Sequence, residues 1–335
     1  MTPLLCRSYP RPGDPVAYQL EPRDSVETEV RRVAAEALDG ALTQLESLQG
    51  ADAETIEEAV HEVRKRCKEA RGLARLVRPG LGHHFGRFDC LVRDAAAELS
   101  SIRDAHVVLE TFEHLRGALD RPDDHRLDKI GRTQARIAKR ATKSIRGGDP
   151  RIDRAHALLT KARRRIDRWE MDEGFGSIAR GLEVSYRRGR RGLERAGKKP
   201  TDEAMHEWRK TVKTLWYEVR LLEAAAPSLL TPLVERLDEL SQALGDDHDL
   251  AVLIERLVAD PDRFGTGGGL KRTVRLARRR QDDLRTHSFR LGATIYAETP
   301  SAFVKRIGTY WATTVELGPE TGAVPGGAAN ENLGY

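Results

Sequence analysis

One eight-residue pattern occurs twice in this chain. His61-Glu-Val-Arg64-Lys65-Arg-Cys-Lys68 returns as His206-Glu-Trp-Arg209-Lys210-Thr-Val-Lys213, an offset of 145 residues. A looser match, Leu99-Ser-Ser-Ile-Arg103-Asp104 against Leu244-Gly-Asp-Asp-His248-Asp249, keeps the same offset. Two separated matches in constant register predict a duplicated unit of that length, and so two similar structural halves.

The surrounding sequence says what the halves are made of. From Ser25 onward the chain is rich in Ala, Leu, Arg and Glu, strong helix formers, and no segment sustains an alternation of period two. The expected fold class is all-α: two pseudo-symmetric antiparallel helical bundles. Helices are expected over 25–49, 54–78, 84–101, 105–119, 125–146 and 151–170 in the first bundle. In the second they are expected over 176–196, 201–225, 229–244, 249–259, 269–290 and 300–314. Breaks fall at Pro79-Gly80, Gly147-Gly148-Asp149-Pro150, Lys199-Pro200 and Gly267-Gly268-Gly269. The domain reading is an irregular, five-proline segment over 1–23, bundles over 24–170 and 171–314, and a disordered tail over 315–335.

On a helical wheel, Val63, Cys67, Ala70, Ala74 and Val77 share an arc of about 80°, an apolar stripe facing a core. His61, Arg64, Lys65, Lys68, Arg71 and Arg75 form a band on the other side. The second copy repeats the plan, with Trp208, Val212, Leu215, Val219 and Leu222 inward and His206, Arg209, Lys210, Lys213 and Arg220 as the band. Glu62 and Glu69 sit beside the stripe, so neutralisation of the cations by i,i+4 acids is expected to be sparse. Solvated faces explain most charge runs, but an uncompensated band built twice favours a bound anion. Further cations gather at Arg132, Arg136, Lys139, Arg140 and Lys143, at Arg187, Arg188, Arg190 and Arg191, and at Arg275, Arg278 and Arg279.

Total charge is modest, with 57 Lys+Arg against 52 Asp+Glu, so an anion site must come from placement on one face. If these faces share a groove, the fitting ligand is a linear polyanion gripped by charge-assisted hydrogen bonds. His61, His206 and His248 would donate when protonated, with the bound anion raising their pKa. Aromatic residues make up only 5% of the chain, which disfavours stacking of nucleobases. Phosphate without bases fits better.

The His61 and His206 helices, Arg103-Asp104 and His248-Asp249, and the closing Tyr296-Ala-Glu-Thr-Pro and Tyr310-Trp311 segments together resemble the CHAD family, the conserved histidine α-helical domain. The resemblance covers about residues 24–314. It implies two helical bundles with basic side chains along a central groove or pore, inorganic polyphosphate as ligand, and association with polyphosphate granules. It carries the family's binding role to His61, Arg64, Lys65, Lys68, His206, Arg209, Lys210 and Lys213. Trp216 stands where the first copy has Arg71, and His248 where it has Arg103, so the halves need not contribute equally.

Other chemistries find less support. Glu27-Thr-Glu29-Val-Arg31 imitates the triphosphate-tunnel motif fused to some family members, but in a helical segment. Asp246-Asp247-His248-Asp249 and His83-His84 are weak metal candidates, and Asp104 and Asp249 read better as helix N-caps. Gly265-Thr-Gly-Gly-Gly-Leu-Lys271 lacks a phosphate loop's Gly before Lys and its preceding strand. The three cysteines form no C-x-x-C pair, and Cys67 falls on an apolar stripe. The expectation is a cytoplasmic binding module with no catalytic residue, metal or cofactor, no signal peptide and no membrane span. A nucleic-acid-binding helical protein and a metal-dependent phosphohydrolase are the alternatives.

Overall fold

In the computed structural model, which describes residues 18–48, 53–117, 127–143, 149–264 and 268–318, the chain runs through α1 (Val26–Glu46), α2 (Ala53–Leu76), the single turn α3 (Arg78–Leu81), α4 (His83–Glu98), α5 (Ser100–Gly117), α6 (Asp128–Lys143) and α7 (Pro150–Ile166). It continues through α8 (Gly176–Lys198), α9 (Asp202–Leu221), α10 (Pro227–Ala259), α11 (Pro261–Phe264), α12 (Gly268–Ile295) and α13 (Pro300–Leu317). No strand occurs among the described residues, and the fold is all-α. Most of the expected N-terminal segment and tail, and the side chain of Arg103, lie outside the described residues.

Local chemistry sets the helix starts. Ser25 opens α1 by accepting the Thr28 amide, and Asp149 opens α7 by accepting the Arg151 amide at 2.8 Å. Thr201 and Thr299 cap α9 and α13, each accepting an amide three residues on at 3.2 Å. These side chains satisfy amides that have no partner within the helix. Pro150 and Pro300, at the first helical position, need no such partner.

Three expectations are corrected. The turn foreseen between residues 244 and 249 does not exist: α10 continues through Gly245, flanked by Leu240, Leu244, Leu250 and Leu253, whose burial outweighs the roughly 1 kcal/mol glycine penalty. Asp249 therefore lies inside α10 rather than at a helix start. Asp104 likewise lies inside α5 rather than at its start.

Both foreseen apolar stripes are interior. Val63, Cys67, Ala70, Ala74 and Val77 are fully buried, as are Trp208, Val212, Leu215, Val219 and Leu222. They meet in one large core with side chains of α1, α4, α7, α8, α13 and the first part of α10. A smaller core joins α5 and α6 to α11, α12 and the later part of α10. Each core draws on both sequence copies.

Helices α2 and α9 cross antiparallel. Glu69 meets Arg220 at 3.6 Å and Arg75 meets Thr214 at 3.4 Å. Between these pairs a Cβ on Gly72 would stand 2.8 Å from the Tyr217 Cβ, so the crossing needs a glycine. Helix α8 crosses the end of α2 still more closely, because a Cβ on Gly181 would lie 1.7 Å from the Leu76 carbonyl oxygen. This packing fixes where the cation-bearing faces of α2, α8 and α9 stand.

Candidate anion-binding site

The cations of α2 are more engaged than their spacing predicts. Glu62 pairs with Lys65 at 3.4 Å and with Arg66 at 3.1 Å. Arg64 donates to the Ala96 carbonyl at 2.5 Å, tying α2 to α4. Arg71 holds Asp89 of α4 through Nε at 2.7 Å and Nη2 at 3.3 Å, and Arg75 approaches the same carboxylate at 3.6 Å. The expectation of sparse neutralisation is thus corrected for α2: one acid, Glu62, lies three residues before Lys65 and four before Arg66, and the other comes from a neighbouring helix that no periodicity within α2 reveals. His61 is partly buried and Lys68 exposed.

Near its end, α2 meets the other copy. Arg75 contacts Thr214 of α9 and feels the field of Arg188 on α8; burial and the neighbouring Arg71 lower its pKa, though a guanidinium remains charged. Beneath this group lies Glu218 of α9, fully buried, accepting from the Ser185 hydroxyl at 2.7 Å. Burial pushes its carboxyl up to about 8, against the opposing pull of Ser185, Arg75 and Arg188. Sequence reasoning missed Glu218. The signal was an acid between Leu215, Val219 and Leu222, on the inward face.

The second cluster lies where α9 packs on α10. The rings of His206 and His248 stand 4.2 Å apart. Burial, then Arg209, then His206 drive the His248 pKa down to about 4, and burial, Lys210 and Arg209 lower that of His206. Asp202 and Glu207 oppose these shifts and are outweighed. Arg209 makes no ion pair among the described residues, and its Nε is buried without a hydrogen-bond partner. Both imidazoles are therefore neutral at pH 7, beside a cation that lacks an anion. The pKa direction is opposite to that expected for the liganded state, because here burial and the neighbouring cations outweigh Asp202 and Glu207.

The remaining candidates differ in setting. Lys210 pairs with Glu207, and Lys213 stands 5.9 Å over the Trp216 ring. Arg220 lies over Tyr18 and Trp216 at 5.2 and 4.9 Å and forms an ion pair with Glu69, a structural role at the α2–α9 crossing. Arg187 pairs with Glu183, and Arg190 donates to the Glu298 carbonyl at 3.1 Å. Arg191, Arg132, Arg136 and Arg140 are open to solvent or nearly so, and Arg275 and Arg279 line a separate depression on α12. Asp247, one of the weak metal candidates, is buried and bound by Arg285 at 2.7 Å; among the described residues no group of three or more ligating side chains could hold a metal ion. No described helix is long and apolar enough to cross a membrane.

The family model described as the CHAD domain matches residues 23–258 of the chain. No curated protein matches it.

Proposed function

The chain belongs to the CHAD-domain family, and on that premise we propose that it binds inorganic polyphosphate in a basic groove between two duplicated helical halves, without making or breaking a bond. The observation that carries the reading is the His206–His248–Arg209 cluster: a partly buried cation without an ion pair among the described residues, beside two histidines whose pKa values burial and neighbouring cations lower. A phosphoryl oxygen placed there would supply the missing counter-charge and let the imidazoles protonate and donate. Arg71, Arg75 and Arg188 form a second station at the α2–α8–α9 junction. Lys68, Lys213, His61, Arg64, Lys65, Lys210, Arg187, Arg190, Arg191 and the α6 arginines would extend the track between and around the stations.

Helix order supports the duplication. α1, α2, α6 and α7 have counterparts in α8, α9, α12 and α13, whose starts lie 140 to 150 residues later. The α2–α9 crossing also maps onto itself at the 145-residue offset, Gly72 onto Tyr217, and Glu69–Arg220 onto Thr214–Arg75. A contact set that exchanges with itself is what a two-fold relation produces.

Phosphate without bases is favoured because no Phe, Tyr or Trp among the described residues is exposed to stack on a base. Isothermal titration with polyphosphate of defined lengths tests the proposal. The expected result is affinity that rises with chain length and survives an equal phosphate concentration of duplex DNA. Displacement by that DNA favours a nucleic-acid binder. Phosphate release on adding Mg²⁺ or Mn²⁺ favours a hydrolase.

A further inference from the structure

A depression of about 630 Å³ lies along α12, with Val258 at the end of α10 and Leu270 and Val274 of α12 as its aliphatic floor. Pockets that seat small ligands and side-chain anchors run to roughly 300–1,000 Å³. Val258 is 59% exposed, one of few large apolar side chains so open. Lys271, Arg275, Arg278 and Arg279 rim the floor, with Asp282 as the single acid in the lining. None of the four cations has a hydrogen bond or ion pair among the described residues. Lys271, Arg275 and Arg279 follow one another at i,i+4, a like-charge spacing that destabilises a helix by a few tenths of a kcal/mol per pair.

Polyphosphate suits the rim and not the floor. It has no apolar surface, so Val258, Leu270 and Val274 would remain wet beneath it. A ligand that satisfies both needs aliphatic groups on one side and negative charge around them. We propose that the α12 depression docks an acidic amphipathic helix of a partner protein, its aliphatic side chains on Val258, Leu270 and Val274 and its carboxylates on the four cations. Charge complementarity selects this occupant over the chain's own ends. Residues 1–17 carry Arg7 and Arg11 against Asp14, and residues 319–335 carry only Glu320 and Glu331, eleven positions apart.

The test uses the full chain and a fluorescein-labelled designed helix with leucines at i, i+3, i+4 and i+7 and glutamates elsewhere, followed by fluorescence anisotropy at physiological salt. A control peptide replaces the leucines with serine. Saturable binding of the leucine peptide is expected, weakened about tenfold or more by Val258→Asp and by Arg278→Glu, with no saturation for the serine peptide. Equal binding of both peptides or indifference to Val258→Asp would overturn the proposal. So would stronger Val258-dependent binding to phosphatidylserine vesicles than to the peptide. Polyphosphate titration of Val258→Asp separates the two readings, because polyphosphate affinity should be unchanged there whatever the peptide does.

Discussion

Burial holds both Glu218 and His248 neutral at pH 7, raising the pKa of the acid and lowering that of the base. Glu218 keeps its proton because burial disfavours the carboxylate, with a folded pKa near 8 against an ordinary 4.5. A group raised in this way contributes fully below the unfolded value, and its contribution is lost as pH climbs through the folded one. Stability should therefore decline from about pH 5 to pH 9 by on the order of a few kcal/mol, and Glu218→Gln, which keeps an acceptor for Ser185, should flatten that decline. Thermal unfolding of both proteins across this range checks it. The histidines run the other way. With the His248 pKa at about 4 against 6.5 in the unfolded chain, the unfolded state takes up protons first, so the free protein loses stability as pH falls from about 6.5 toward 4. A bound polyanion reverses the local field and draws protons onto the pair. Polyphosphate affinity should then rise as pH drops from 7.5 to 5.5, and His206→Gln with His248→Gln should remove most of that rise in titrations at the two values. At this scale the sequence displayed the cations and histidines but hid their partners. Asp89, Glu218 and Ala96 reach the motif from other helices or from an inward face, where no spacing within the motif points to them.

Two glycines decide how the elements meet. Gly181 lets α8 rest on the backbone at the end of α2, and because the obstacle is a carbonyl oxygen, no side-chain rotation can make room for a methyl group. Gly181→Ala should cost more than about 3 kcal/mol. Gly197, near the end of the same helix, has nothing within 4 Å of its would-be Cβ, and Gly197→Ala should be neutral or stabilising by up to about 1 kcal/mol. Melting temperatures of the two variants, measured together, separate packing from helix propensity. Most helices were legible from periodicity and punctuation, as the buried stripes of α2 and α9 show. The boundary that failed was Gly245, where burial of flanking leucines overrode a local break signal. Close approach at Gly181 was illegible, because which helix lies across a glycine is a tertiary fact.

At the scale of the molecule, the repeated motif announced two copies, yet the two cores mix them. The larger core combines stripes from α2 and α9, and the smaller joins α5 and α6 to the later part of α10, α11 and α12. Such interleaving places both motif helices against one another rather than at distant ends. That adjacency is what the proposed function requires, since a linear polyanion must touch cations of both halves at once. Each neutralised phosphate releases a condensed counterion, so the slope of log affinity against log salt counts the contacts. The most direct measurement is that slope for the wild type, Lys68→Gln, Lys213→Gln and the double variant, with one long polyphosphate. Each single change should lower the slope by about one and the double by about two, with circular dichroism unchanged. An undiminished slope in the double variant, or a loss confined to one copy, would contradict a groove shared by both.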